Sequence, residues 1–191
     1  MTYAIALKPF QGAKFCGDQA AVWEDPDQAL ICMVDGLGHG KDAEIAAKAA
    51  IAYVGENRDQ AIDDIFVGCD SAISHTRGVA MGLAWVDKTS QDMLYAAVGN
   101  TRAAIADMGD QYIGGIYGIV GAGIQKPIVE PLRFTRKQTI YMWSDGMAES
   151  LDFRKYQKQR NLDLESLAFH ILDDNADLNA DDGSIVIYRK A

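Results

Sequence analysis

The chain of 191 residues has few cysteines, few histidines and no long apolar run. Its three cysteines, Cys16, Cys32 and Cys69, are scattered and odd in number, which argues against a disulfide framework or a cysteine-based metal site. No stretch reaches the ~20 apolar residues of a membrane span, and the N-terminus lacks a signal-peptide pattern. The composition therefore predicts a cytoplasmic protein with reduced cysteines.

Positive charge is also scarce. Lysine and arginine number 18 against 27 acidic residues, so the formal net charge is −9. Nonspecific nucleic-acid binding needs clustered cations, and this composition argues against it. An anionic phosphoryl substrate would be repelled as well, unless bound metal reverses the local field. The length suits one domain, and we expect residues 1–191 to form it without a regulatory domain.

The sequence does contain four short acidic motifs beside apolar stretches. They are Gly17 with Asp18, residues 35–40 (Asp-Gly-Leu-Gly-His-Gly), residues 144–146 (Ser-Asp-Gly) and residues 181–183 (Asp-Asp-Gly). A carboxylate at a strand end is held rigidly, and an adjacent glycine lets ligands approach the backbone. Carboxylates from distant segments converge when a cation cancels their repulsion, and Mg²⁺ and Mn²⁺ prefer such oxygen ligands. The motifs predict a carboxylate-bound metal site built across a β core.

Apolar periodicity predicts the elements that carry these motifs. Helices are expected over residues 41–58, 60–75 and 164–172. Strands are expected at residues 2–7, 20–23, 28–34, 79–86, 93–98, 102–106, 128–135, 139–143 and 184–189, and near Tyr112. Consecutive strands without helices between residues 79 and 143 imply hairpins and antiparallel sheet, so the fold class is α+β. The glycine-rich residues 114–123 are expected to form a flexible loop that adapts to a partner.

Each motif also has a structural interpretation without function. Asp35 with Gly36 is a common turn pair, Ser144 or Asp145 suits a helix N-cap, and paired acids before a last strand protect a sheet edge. Residues 38–43 fit the G-x-G-x-x-A dinucleotide fingerprint, although the chain lacks βαβ alternation. An EF-hand is excluded, because Leu178 or Asp182 falls at the position that needs glycine.

Three further features are weaker candidates. His39, inside the glycine-rich turn, is a candidate proton donor or phosphate contact. Cys16 is expected to be a packing residue rather than a nucleophile. A basic segment formed by Arg154, Lys155, Lys158 and Arg160 is either a solvated surface or a docking site for an acidic or phosphorylated partner.

The order of the motifs, ending in Asp-Asp-x-Ser, resembles the metal-dependent PP2C-type protein phosphatases, in particular their bacterial SpoIIE-like branch. Residues 94–100 are also similar to a segment of that branch, and the resemblance extends from Gly17 to the final strand. It implies an αββα sandwich of two antiparallel β-sheets flanked by helices. It also implies a serine/threonine phosphatase that acts through a hydroxide bridging two Mn²⁺ or Mg²⁺ ions.

The resemblance implies a partner as well. The substrate would be a phosphorylated bacterial signalling protein of the stressosome-scaffold or anti-sigma-factor-antagonist type. An alternative of a different class is a non-catalytic module that uses the same fold to bind a protein partner. Neither interpretation involves nucleic acid or a membrane.

The resemblance also implies roles for the acidic residues. Asp35 and Asp145 would be catalytic, with Asp35 bridging both ions and the Gly36 carbonyl as a further ligand. Asp145 and Asp181 would hold the first ion, and Asp18 would lie near the second. Asp182 is a neighbour without an assigned role.

The chain departs from the eukaryotic relatives at two points. They have a histidine directly after the Asp-Gly pair, where this chain has Leu37, so the proton donor stays open between His39 and a metal-bound water. Their N-terminal phosphate-binding arginine also has no evident equivalent. Lys14 is the nearest cation in the sequence.

Overall fold

A computed structural model describes residues 2–106, 111–136, 138–159 and 163–190, without the side chains of residues 157–159. It contains ten strands and three α-helices in this part of the chain. The strands are β1 (Tyr3–Lys8), β2 (Asp18–Glu24), β3 (Gln28–Gly36), β4 (Val79–Asp87), β5 (Asp92–Val98), β6 (Arg102–Ala106), β7 (Gln111–Ile113), β8 (Glu130–Arg133), β9 (Thr139–Trp143) and β10 (Gly183–Arg189). The helices are α1 (Lys41–Glu56), α2 (Ile62–Ala72) and α3 (Leu164–Asn175).

The strands form two five-stranded sheets, with the orders β1-β10-β9-β6-β7 and β2-β3-β4-β5-β8. Every pairing between the named strands is antiparallel. This confirms the α+β class and the antiparallel sheets. It also rules out the dinucleotide-binding interpretation, because that fold needs parallel strands on both sides of the glycine-rich turn.

Three apolar clusters separate four layers. One cluster lies between α1, α2 and the β2–β8 sheet, and includes Ala47, Phe66 and Leu83. A second joins the facing sides of the two sheets and includes Met33 of β3 and Tyr188 of β10. The third lies between the β1–β7 sheet and α3, around Trp143. The order is helix, sheet, sheet, helix, and the sandwich predicted from the resemblance is confirmed.

This architecture gathers the acidic motifs at one end of the sandwich. In one sheet, β2 begins at Asp18 and β3 ends at Gly36. In the other, β9 ends just before Ser144 and β10 begins just after Asp182. Because neighbouring strands run in opposite directions, the end of one strand lies beside the start of the next. The first two acidic motifs and the last two, which are more than 100 residues apart in sequence, therefore lie at the same end of the sandwich.

Some predicted boundaries were wrong. Helix α2 covers a shorter range than residues 60–75, and α3 continues to Asn175. A 3-10 helix at Phe153–Gln159 was not predicted. In the described part of the chain, no helix has the length and apolar character needed to span a membrane.

Candidate active site

The two carboxylates nearest the centre of the cluster come from adjacent strands. Asp18 of β2 is paired with Asp35 of β3 in the antiparallel register. The carboxyl group of Asp35 also lies close to that of Asp145, which follows β9 of the other sheet. Asp18, Asp35 and Asp145 therefore converge from both sheets, as the sequence motifs predicted.

Asp18 is an unusual buried carboxylate. Only 1% of the residue is exposed to solvent. Its Oδ2 atom finds no hydrogen-bond partner among the described residues. A buried oxygen without a partner costs free energy, and a charged one costs more. A cation at this oxygen would remove that cost, so the site fits a hard divalent ion.

Three carboxyl groups of the cluster, those of Asp18, Asp35 and Asp181, hold their protons more tightly than ordinary ones. Burial raises the pKa of Asp35 to about 9, and the negative charges of Asp18 and Asp145 add to the effect. Burial raises the pKa of Asp18 to about 7, although the nearby Ser144 and Ser184 side chains oppose the rise. The pKa of Asp181 is also raised, mainly by burial. These groups form a concentrated negative site that binds either protons or a cation.

Asp182 has a different function from its neighbours. Its Oδ1 accepts a hydrogen bond from the Phe10 backbone nitrogen at 2.6 Å, and its Oδ2 accepts one from the Gly17 nitrogen at 2.8 Å. The carbonyl of Gly17 in turn accepts a hydrogen bond from the Gly36 nitrogen at 3.1 Å. Asp182 therefore ties the segment before Asp18 to the start of β10. The sequence had left its role open.

Two glycines are required by close packing around the cluster. A Cβ on Gly36 would lie 2.3 Å from the carbonyl oxygen of Ala43 in α1. A Cβ on Gly146 would lie 1.8 Å from the carbonyl oxygen of Asp182. Such distances exclude any side chain without a backbone shift. These glycines let α1 and the residue 181–183 segment approach Asp35 and Asp145.

The carboxylates of Asp145 and Asp181 accept hydrogen bonds from other residues. Asn100 donates its side-chain amide to Asp145 Oδ2. Asp181 Oδ1 accepts a hydrogen bond from the Asp182 nitrogen at 2.8 Å. Within the described ranges, no three histidine, cysteine, aspartate or glutamate side chains already form a metal-binding group. Metal binding by all four aspartates would therefore require side-chain movement.

The weaker sequence candidates lie around this centre. His39 is exposed and stacks on Phe10, with ring centroids 5.1 Å apart. Burial raises the pKa of Asp181, and the nearby His39 side chain opposes that rise, which places His39 close to this carboxylate. Lys14 is exposed, and its amine lies 5.6 Å from the ring centroid of Phe15. Burial raises the pKa of the Cys16 thiol to about 12, which opposes a nucleophilic role.

The structure does not support the alternative roles of the last two motifs. Strand β10 pairs with β1 on one side and β9 on the other, so Asp181 and Asp182 do not precede an edge strand. No helix begins at Ser144 or Asp145 in the described chain, where a tight turn joins Met147 to Ser144 instead.

In the basic segment, Arg154 forms an ion pair with Asp152. The side chain of Lys158 and all of Arg160 lie outside the described residues, so docking by this segment stays a prediction.

Sequence reasoning missed one cation beside the second motif. Arg77 precedes β4, and its Nη1 atom is 3.2 Å from the place that a Cβ on Gly38 would occupy. Its Nη2 donates to Asp42 Oδ2 at 3.0 Å. The Leu37 nitrogen donates to the Gly78 carbonyl, which fixes these two segments side by side. The antiparallel pairing of β3 and β4 brings Arg77 beside Gly38. No sequence motif or residue spacing indicates this position.

Comparison with known proteins finds a phosphatase that is similar in sequence to part of this chain. No family model matches the chain. A segment of 93 residues, which is 48% of this chain, aligns with the phosphoserine phosphatase RsbX of Bacillus subtilis (strain 168). The two sequences are 30% identical over that segment. The matched segment covers 46% of that protein, which is about half of its length.

Solved structures agree more closely in fold. A chain from a structure of the bacterial stressosome, described as a modular system adapted to control secondary messenger signalling, matches with a TM-score of 0.93 at 24% identity, covering 98% of each chain. RsbX in complex with magnesium matches with a TM-score of 0.86 at 19% identity, covering 99% of this chain and 94% of that one. The PP2C phosphatase domain of SpoIIE from Bacillus subtilis matches with a TM-score of 0.77 at 16% identity, covering 98% and 62%. The chain therefore has the fold of the PP2C-type phosphatases, and about half of it is similar in sequence to the bacterial phosphoserine phosphatase RsbX.

Proposed function

We propose that this protein is a metal-dependent phosphatase that hydrolyses phosphoserine or phosphothreonine in a protein substrate. The observation that carries the proposal is the buried Oδ2 of Asp18, which lacks a partner among the described residues and lies within a cluster of aspartates. Such a cluster is stable in its charged form only beside cations. The similarity to a phosphoserine phosphatase agrees with this chemistry.

Asp18, Asp35, Asp145 and Asp181 would hold two Mn²⁺ or Mg²⁺ ions, with the Gly36 carbonyl as a further ligand. When bound, divalent ions activate water for attack and neutralise charge on the phosphoryl group. The residues themselves supply rigid placement. Asp35 is fixed within β3 between two strands, and Asn100 orients the Asp145 carboxylate. Asp182 acts as a positioning residue through Gly17.

Space for a substrate lies beside two of these carboxylates, Asp145 and Asp181. A groove of about 450 Å³ is lined by Asp145, Asp181, Asp177 and Asn175. Arg77, on the side of Gly38, is the cation that we assign to the phosphoryl group in place of Lys14. The proton donor stays open, and His39 is the candidate in the protein.

The next two proposals concern the type of substrate and the cellular location. We propose that the substrate is a signalling protein of the stressosome-scaffold or anti-sigma-factor-antagonist type, by analogy with the relatives. We propose that residues 1–191 act as one catalytic domain in the cytoplasm, where the free thiols of Cys16, Cys32 and Cys69 stay reduced.

The test is phosphate release from p-nitrophenyl phosphate and from phosphoserine and phosphothreonine peptides. Chelator-treated protein is assayed alone and after addition of Mn²⁺ or Mg²⁺. We expect release only with the ion, and none from the Asp35→Asn protein. Activity that does not depend on any divalent ion contradicts the proposal. Complete inactivity with Mn²⁺ and Mg²⁺ would favour the non-catalytic module that binds a protein partner.

A further inference from the structure

Residues 114–123 carry no charge and include the most exposed large apolar side chain of the described chain. The relative exposure of Tyr117 is 103%, so nearly its whole surface meets solvent. Exposed aromatic rings are over-represented where proteins bind one another, whereas a single exposed residue on an ordinary loop needs no explanation. What distinguishes Tyr117 is the way its loop is held and where it lies.

The loop is tied down on both sides of Tyr117, contrary to the flexibility expected from its glycines. Before it, the Ile116 nitrogen donates to the Ala97 carbonyl at 3.0 Å, and the Ile116 carbonyl accepts from the Gly99 nitrogen at 2.9 Å. After it, Val120 exchanges two hydrogen bonds of 2.9 Å with Val79. Residues 117–119 form a short arch between these two anchors.

Asp70 of α2 adds a third anchor. Its Oδ1 accepts hydrogen bonds from the backbone nitrogens of Gly121 at 2.7 Å and Gly123 at 3.0 Å. Gly121 is required here both by its φ of 107° and by close packing, since a Cβ on it would lie 3.1 Å from the Cα of Gly78. A loop fixed in this way loses little conformational entropy when it binds a partner.

The arch stands at the rim of the acidic cluster. Val79, which anchors its far side, is paired with Gly36 of β3. Gly99, which anchors its near side, precedes the residue that contacts Asp145. The arch therefore lies across the start of β4, which is the neighbour of the strand of Asp35, and the end of β5, next to the residue that contacts Asp145.

We propose that Tyr117 is a docking residue for the protein substrate, and that Asp70 is the positioning residue that holds its loop in the binding conformation. The partner is a phosphoprotein segment with an apolar side chain next to the phosphorylated residue, because the arch offers an aromatic ring and no charge. This inference rests on the proposed phosphatase function. It adds a preference for sequence around the phosphoryl group, which the metal site by itself does not provide.

Two phosphoserine peptides of equal length test the docking role, one with leucine and one with serine beside the phosphoserine. We expect the wild type to favour the leucine peptide in kcat/KM by about tenfold, as expected for an aromatic anchor residue. Tyr117→Ala should remove this preference, and Tyr117→Phe should keep it. Ile128→Ala, which removes another side chain that is 79% exposed, is the matched control and should keep the preference. An unchanged preference in Tyr117→Ala overturns the proposal.

A binding measurement separates this proposal from the phosphatase assignment. Fluorescence anisotropy gives the Kd of the labelled leucine peptide for the Asp35→Asn protein, without any turnover. Adding Tyr117→Ala should raise that Kd by about tenfold. If the wild type releases no phosphate from p-nitrophenyl phosphate but this shift occurs, the proposed function fails and the docking surface stands. Equal Kd values with and without the ring refute the docking role.

Asp70→Ala tests the positioning role, with Asp64→Ala on the same helix as its control, because the Asp64 carboxylate pairs with Lys126 at the surface. Asp70→Ala should speed amide hydrogen exchange at Gly121 and Gly123 and weaken the leucine preference. Asp64→Ala should do neither. Faster exchange with an unchanged preference would remove Asp70 from the proposal.

Discussion

The carboxylate of Asp182 accepts a 2.8 Å hydrogen bond from the backbone nitrogen of Gly17, across 165 residues of sequence. The same side chain accepts a second bond from Phe10, and the residue is only 2% exposed. One buried carboxylate thus fixes the N-terminal segment that presents Asp18.

We expect Asp182→Ala to destabilise the protein by about 3 kcal/mol, because two charge-assisted hydrogen bonds to backbone nitrogens are lost. For a chain of this size the unfolding midpoint should fall by about 10 °C. Thermal unfolding in chelator measures this without any contribution from metal. Asp177→Ala, whose carboxylate bonds only within its own turn, is the control. Equal midpoints for Asp182→Ala and wild type would show that the two hydrogen bonds do not support the fold.

The stability of the metal-free protein should fall as the pH rises. The folded-state pKa values of Asp18 and Asp35 are raised from 3.8 to about 7 and about 9. Folding therefore takes up protons, and this stabilisation is complete below pH ~4 and lost as the pH passes through each raised pKa. Unfolding midpoints in chelator from pH 5 to pH 9 test this slope. Asp35→Asn should flatten it between pH 7 and pH 9, and a rising slope would contradict the assignment.

Asn100 should control metal affinity through Asp145. Removing a hydrogen-bond partner of a metal ligand typically weakens binding about 10- to 100-fold. We expect Asn100→Ala to raise the Mn²⁺ concentration for half-maximal activity by such a factor, while excess Mn²⁺ restores most of the rate. Asn179→Ala, which alters only a turn at Asp177, should behave like wild type. A loss in Asn100→Ala that Mn²⁺ does not rescue would point to a role beyond placement of Asp145.

Arg77 should contribute to binding of the phosphoryl group. Arg77→Ala is expected to raise KM for p-nitrophenyl phosphate about tenfold, since a charge-assisted contact is worth about 1.4 kcal/mol or more. Asp42→Asn breaks the ion pair of Arg77 but keeps its charge, so it should change KM much less. If both variants raise KM equally, the ion pair rather than the cation is responsible.

Much of this architecture was predictable from local patterns. The strand positions follow from β-branched and apolar runs, and the lack of helices between residues 79 and 143 requires antiparallel pairing. The placement of the acidic motifs at strand ends was predictable for the same reason, since Asp35 and Asp145 each stand at the end of an apolar run. Their convergence then follows from two sheets packed face to face.

The remaining features depend on contacts between distant segments. Asp182 and Asp181 look alike in sequence, yet one bonds to Phe10 and Gly17 while the other lies on the side of Asp145 and His39. The loop at residues 114–123 appeared flexible because glycine is permissive, but Asp70 and two β-bridges hold it. Arg77 lies beside Gly38 only because β3 and β4 pair. No local pattern specifies these tertiary hydrogen bonds.

The most direct test of the central claim is a calorimetric titration of Mn²⁺ into chelator-treated protein at pH 8. Saturable binding of two ions for each wild-type chain is predicted, with release of protons from the raised carboxyl groups. Asp35→Asn should lose at least one ion, and Asp145→Asn should bind more weakly. Thermal unfolding without metal should show that both variants remain folded. Absence of saturable binding by the wild type, or wild-type binding by Asp35→Asn, would contradict a metal centre at these aspartates.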